Sequence, residues 1–172
     1  MSMKKIFLFF IGIIFLGCKE NNSSKTEENF QAKDIPTYNF EELEKQLPQT
    51  DDKVYVVNFS ATWSAPCVEE LPFLTMLDEK EKEVEVILVS LDMPKMKDTH
   101  LKPFVEKNKI KSKVMLLDDP YSNKWIPKID ENWDGAIPAT LIYNSKKKKF
   151  YPKKFDTYQE LLDEVQKFEN VN

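Results

Sequence analysis

Two runs constrain the fold more than anything else in the chain. "KVYVVNFSA" (residues 53–61) and "VEVILVSLD" (84–92) are too densely apolar for strands with one wet face, so each reads as a buried strand of a sheet. Such strands need helices packed on both sides, and the intervening segments supply them. "NFEELEKQL" begins with a capping Asn39, has acids in its first turn and sets Phe40, Leu43 and Leu47 on one face. Residues 66–82 form a second helical pattern with Leu71, Leu74 and Leu77 facing inward, and residues 99–109 a third. "KVMLL" (113–117) and "ATLIYN" (139–144) read as strands, and "YSNKWIPKI" (121–129) as a turn or short helix. A tight turn over 145–149 leads into a strand "FYPKKF" (150–155), and a helix capped at Asp156 closes the chain. Alternating strands and helices imply a parallel core, to which the last two strands add an antiparallel edge.

Composition removes several function classes. The 25 basic residues are all Lys, so planar, bidentate recognition of phosphate or carboxylate by Arg is out of reach. The net charge is −4, which disfavours a nucleic-acid partner. Of three glycines, Gly12 and Gly17 lie near the N-terminus and only Gly135 falls in the body, too few for a phosphate-cradling loop. No group of His, Cys, Asp and Glu has metal-ligand spacing, and no cofactor is expected.

The first residues read as a leader. Lys4 and Lys5 precede eleven mostly apolar residues (6–16), too few to span a bilayer, which takes about 20. The stretch ends in "FLGC", which resembles a bacterial lipobox and implies lipidation of Cys18. Residues 1–17 are thus expected to be a lipoprotein signal peptide and residues 18–33, rich in Asn, Ser, Glu and Lys, a disordered tether. Residues 34–172 would form the folded domain, facing the periplasm from a lipid anchor in a bacterial cell envelope. Removing the leader takes away two Lys and no acid, giving 23 − 29 = −6. Cys67 is then the domain's only thiol, so the domain cannot hold an internal disulfide.

Around that thiol the sequence reads "VVNFSATWSAPCVEELPFL". This segment resembles the active-site region of membrane-tethered, TlpA-like thiol-disulfide oxidoreductases. Asn58, Phe59, Ala61, Trp63, Pro66, Cys67 and Pro72 match the pattern of that family. "GAIPATLIYN" resembles the family's second element, a cis-proline loop followed by a strand, with Pro138 as the proline. The resemblance implies an α/β, thioredoxin-like fold with a central mixed sheet flanked by helices. It also implies a rim for an extended protein or peptide partner, made by Trp63, Ala65, Pro66, Ile137 and Pro138. The departure is Ser64, which stands where the family carries its attacking Cys.

In an intact motif, the first Cys attacks a substrate disulfide and the second resolves the mixed disulfide. Ser64 cannot take the first role, because an alkoxide needs a base and the single histidine, His100, lies 33 residues beyond Cys67. Cycling between two thiols within the domain is excluded. Cys67 is left with three readings: a buried small hydrophobe beside a non-catalytic binding groove, a monothiol that forms mixed disulfides, or a one-Cys peroxidase. Ser64 suits the third reading, lying three residues before the Cys as in peroxiredoxins, but the activating Arg is missing. Desolvation outweighs the helix dipole for a buried thiol, so Cys67 is expected to be mostly neutral and slow to react. Trp63 fits either the core or the lip of the groove, and Asn58 reads as a structural hydrogen bonder. The Lys run 146–149 reads as a solvated turn, and the domain as a monomer.

Overall fold

The computed structural model describes residues 34–48 and 53–169. Both dense runs are central strands. The elements are β1 (Thr37–Tyr38), α1 (Phe40–Gln46), β2 (Val54–Ser60), α2 (Ala65–Lys80), β3 (Val84–Ser90), α3 (Lys102–Lys107), β4 (Lys113–Leu117), α4 (Ser122–Ile129), β5 (Ala139–Tyr143), β6 (Lys148–Tyr151) and α5 (Tyr158–Glu169). The sheet order is β1-β4-β3-β2-β5-β6. Strands β1, β4, β3 and β2 are mutually parallel, while β5 and β6 run antiparallel to their neighbours.

Alternation along β2 and β3 sorts the core into two layers, since successive side chains point to opposite faces. Val54, Val56, Val86 and Leu88 meet Leu74 and Leu77 of α2, Val105 of α3 and Leu161 and Val165 of α5. Tyr55, Val57, Phe59, Ile87 and Val89 meet Phe40 and Leu43 of α1 and Trp125 and Ile129 of α4. Trp133 closes the second layer, with its ring 5.2 Å from Phe59 and 5.8 Å from Trp125.

Local chemistry sets several boundaries that the sequence pattern placed differently. Instead of a helix over 99–109, a wide π-type turn at Lys97–Leu101 precedes α3. Lys109 then enters the left-handed region at φ 51° and stops the helix early. Strand β6 starts within the Lys run and ends at Tyr151, because Pro152 has no N–H to extend the ladder. The cap of α5 is Thr157, whose Oγ1 accepts the Glu160 N–H at 3.1 Å, rather than Asp156. The 121–129 segment is a helix, and β1, only two residues long, carried no periodic signal.

Along α2 the buried positions are Cys67, Glu70, Leu74 and Leu77. Leu71, expected inward, is only half-buried, and a carboxylate holds the inward place beside it. The Lys run is also more than a solvated turn. Lys147 Nζ donates to the Lys167 carbonyl at 2.9 Å, and Lys149 pairs with Glu164 at 3.4 Å, tying the β5–β6 hairpin to α5. Cys18 and the proposed leader and tether lie outside the described residues.

Candidate active site around Cys67

Strand β2 delivers the site. The Leu91 N–H donates to the Ser60 carbonyl at 2.8 Å, so the β2–β3 ladder continues to the last residue of β2. The chain then turns sharply, closed by the Ser64 N–H donating to the Ala61 carbonyl at 3.1 Å. Ser64 is the extended N-cap residue of α2, and its carbonyl accepts the Val68 N–H at 3.1 Å. Its hydroxyl does not cap the helix. It lies three residues before Cys67 instead, where it favours the thiolate.

Cys67 is the third residue of α2, among the unpaired N–H groups of the first turn. It is 5% exposed, and Ser64 is 6% exposed. Burial pushes the Cys67 thiol above its ordinary value. The Ser64 hydroxyl and the Ala61 backbone N–H pull the other way, as donors that favour the thiolate. The Glu70 and Asp92 carboxylates add to the upward push. The direction agrees with a thiol that stays mostly protonated at neutral pH.

Trp63 is 62% exposed, which makes it a lip rather than core. Ala65 and Pro66 are exposed beside it on the first turn of α2. Pairing of Phe59 with Ala139 carries Pro138 to the same end of the sheet, with Pro138 buried and Ile137 half-buried. The Ile137–Pro138 peptide bond is cis. His100 is exposed and its Nδ1 pairs with Thr99 Oγ1 at 2.8 Å, a local contact that gives Ser64 no base. A cavity of about 30 Å³ adjoins Cys67 between α2 and α3, polar at Ser60, Ser90 and Asp92 and apolar at Leu101 and Phe104.

Two carboxylates escaped the sequence reading. Glu70 is fully buried. Its Oε1 accepts the Phe155 N–H at 2.8 Å and its Oε2 accepts from Asn58 Nδ2 at 3.1 Å. Burial raises it to about 7, against the opposing effect of those two donors and of Lys154. Asn58 Nδ2 also donates to Thr140 Oγ1 at 3.0 Å, while Asn58 Oδ1 is buried without a partner. Asn58 is thus a structural hydrogen bonder, and the acid lies on the facing helix. The signal for Glu70 was its helical spacing, three residues after Cys67 and four before Leu74. Asp92, just past β3, is 2% exposed. Among the described residues no group of His, Cys, Asp and Glu forms a metal site, and no helix is long and apolar enough to cross a membrane.

The strand order, the helix that starts at the thiol and the proline loop beside it define a thioredoxin-like α/β protein, with Ser-Ala-Pro-Cys where α2 begins. Comparison with known proteins makes this specific. The chain belongs to the AhpC/TSA family, whose model matches residues 27–148. It is similar to the thiol-disulfide oxidoreductase ResA of Oceanobacillus iheyensis, 41% identical over 69 residues, covering 37% of this chain and 34% of that protein. ResA of Bacillus cereus is 29% identical over 114 residues, covering 64% of this chain and 65% of that protein. The chain therefore spans between a third and two-thirds of the length of these curated relatives. Among solved structures, a thioredoxin-related protein from Neisseria meningitidis serogroup B aligns with TM-score 0.58 at 20% identity, covering 72% of this chain and 88% of that one. A secreted thiol-disulfide isomerase from Corynebacterium glutamicum aligns with TM-score 0.58 at 18% identity, covering 70% and 72%.

Proposed function

We propose that this protein exchanges disulfides as a monothiol, through Cys67, with a thiol- or disulfide-bearing protein of the bacterial envelope. The observation that carries the reading is the setting of Cys67: it sits in the first turn of α2, and the Ser64 hydroxyl and the Ala61 N–H beside it both favour its thiolate. A cysteine serving only as a small hydrophobe has no need of them. Cys67 as thiolate attacks one sulfur of a partner disulfide, a new S–S bond forms, and the departing thiolate takes up a proton. With no second thiol in the domain, the mixed disulfide waits for an external thiol to release it. Burial makes the first step slow, so a partner held at the Trp63 lip must precede it.

The apolar leader and "FLGC" support an extracytoplasmic protein anchored by lipid at Cys18 through the 18–33 tether, and the net negative charge argues against a nucleic-acid partner. The test is incubation of the reduced protein with glutathione disulfide, followed by intact mass and peptide mapping. One glutathione adduct on Cys67, absent in Cys67→Ser, supports the reading. A native Cys67 that stays unmodified over hours refutes it.

The burial of Cys67 beside an exposed Trp63 favours a second reading, a binding module with an inert thiol. Partner binding that survives Cys67→Ser and weakens in Trp63→Ala, with no adduct at Cys67, would make it the better description.

A further inference from the structure

The turn that aims Ala61 and Ser64 at the thiol has little holding it from within. Its one internal bond is the 3.1 Å Ser64 N–H to Ala61 carbonyl contact. Between those two residues sits Thr62, and it is fastened from outside. The Thr62 N–H donates to Asp92 Oδ2 at 3.1 Å, and Thr62 Oγ1 donates to Asp92 Oδ1 at 2.7 Å. Asp92 is itself fixed, because Ser90 Oγ donates to its Oδ2 at 2.8 Å and its own N–H donates to Ser90 Oγ at 3.1 Å. Three side chains thus fasten the end of β3 to the turn that follows β2. None of these bonds involves the sulfur.

We propose that Asp92 is a positioning residue for Cys67, holding the 61–64 turn through Thr62 so that Ala61 and Ser64 keep their place beside the thiol. The inference rests on Cys67 working as a thiol. Asp92 acts on it in two opposed ways. Its grip on Thr62 keeps the Ser64 hydroxyl and the Ala61 N–H near the sulfur, where they favour thiolate, while its negative charge disfavours thiolate. The charged groups acting on Cys67 are Glu70 from its own helix and Asp92 from the end of β3. Glu70 is the same in every variant below, so it does not confuse the comparison.

The opposed effects predict an order rather than a single loss. Thr62→Val keeps the charge and removes the hydroxyl anchor. Asp92→Asn removes the charge and keeps an acceptor for Thr62, with its amide donating to Ser90 Oγ. Asp92→Ala removes both. The experiment is the pH profile of Cys67 alkylation in the full-length chain, read by peptide mapping so that Cys18 is scored separately. A thermal melt of each variant runs alongside.

At pH 8 the expected order of rates is Asp92→Asn fastest, then wild type, with Thr62→Val about 2- to 10-fold slower than wild type, the span of one hydrogen bond. Asp92→Ala falls below Asp92→Asn, and Thr62→Ser returns to the wild-type profile. Should Thr62→Val not fold, the difference between Asp92→Asn and Asp92→Ala decides, since these two share a charge and differ in the clamp that joins Ser90 to Thr62. Profiles that superimpose while melting temperatures fall would show a merely structural role and overturn the proposal. So would Thr62→Val and Asp92→Asn shifting in the same direction. A wild-type Cys67 that never reacts while folded defeats the exchange reading itself, and this inference with it.

Discussion

Replacing Glu70 with Gln tests the electrostatics of the core directly. In the folded protein Glu70 holds its proton up to about 7, against an ordinary value near 4.5. A proton held more tightly in the folded state contributes stability that is fully present below about pH 4.5. That contribution is lost as pH rises through the window from about 4.5 to 7. The shift of 7 − 4.5, or about 2.5 units, corresponds to roughly 3 kcal/mol, because each unit is worth 1.36 kcal/mol. Glu70 is fully buried, so solvent screening does not discount this figure.

Gln keeps the shape of the protonated acid and cannot ionise. Its carbonyl takes the Phe155 N–H, and Asn58 turns its amide over to offer Oδ1 to the new N–H donor. Asn58 has one unpartnered atom before and after, so charge is what changes. Urea unfolding at pH 4, 6, 7 and 8 should give curves that nearly coincide at pH 4. By pH 8 the variant should be more stable by up to about 3 kcal/mol, a midpoint higher by roughly 1–3 M. A difference that stays constant across the pH range, or a variant less stable than wild type at pH 8, would refute the assignment of Glu70 as the buried titrating acid.

The other expectations concern the thiol and the leader. Ser64→Ala removes a hydroxyl that favours the Cys67 thiolate, so alkylation of Cys67 at fixed pH should slow by about 2- to 10-fold; an unchanged rate would show that the hydroxyl does not act on the sulfur. The wild-type chain should not turn over in an insulin-disulfide reduction assay, and Ser64→Cys should gain turnover when a thiol reductant is supplied. A folded Ser64→Cys that stays inactive would mean that the turn no longer presents its first position to a substrate. Mass spectrometry of the protein from its native membrane should find a chain that starts at Cys18 and carries lipid, and an unmodified Cys18 after cleavage elsewhere would disprove the anchor.

How much of this was legible depended on how redundantly the sequence encoded it. Strands β2 and β3 were plain because seven-residue runs of branched and aromatic side chains admit one environment. Helix α2 was plain in extent but not in facing. The stripes 67-70-74-77 and 71-74-77 both satisfy helical spacing, and an acid on a helix reads as solvent-facing until a partner is known. Glu70's partners are Asn58 and Phe155, the latter 85 residues away, which no local pattern encodes. Asp92 was hidden for the same reason, since its meaning lies in Thr62, thirty residues earlier. Trp63 could be placed only once the chain path was known, because an aromatic beside a turn packs equally well inward or outward.

The two margins of the sheet bear on how this domain behaves when many copies share one surface. On one side lies β1, two residues long, too short to template a neighbouring strand. On the other lies β6, whose exposed Lys148 and Lys149 would set like charges against each other if two copies aligned edge to edge. Crowded copies are thereby kept from zipping together into a continuous sheet. If the chain is tethered as proposed, these margins allow dense display with Trp63 still exposed.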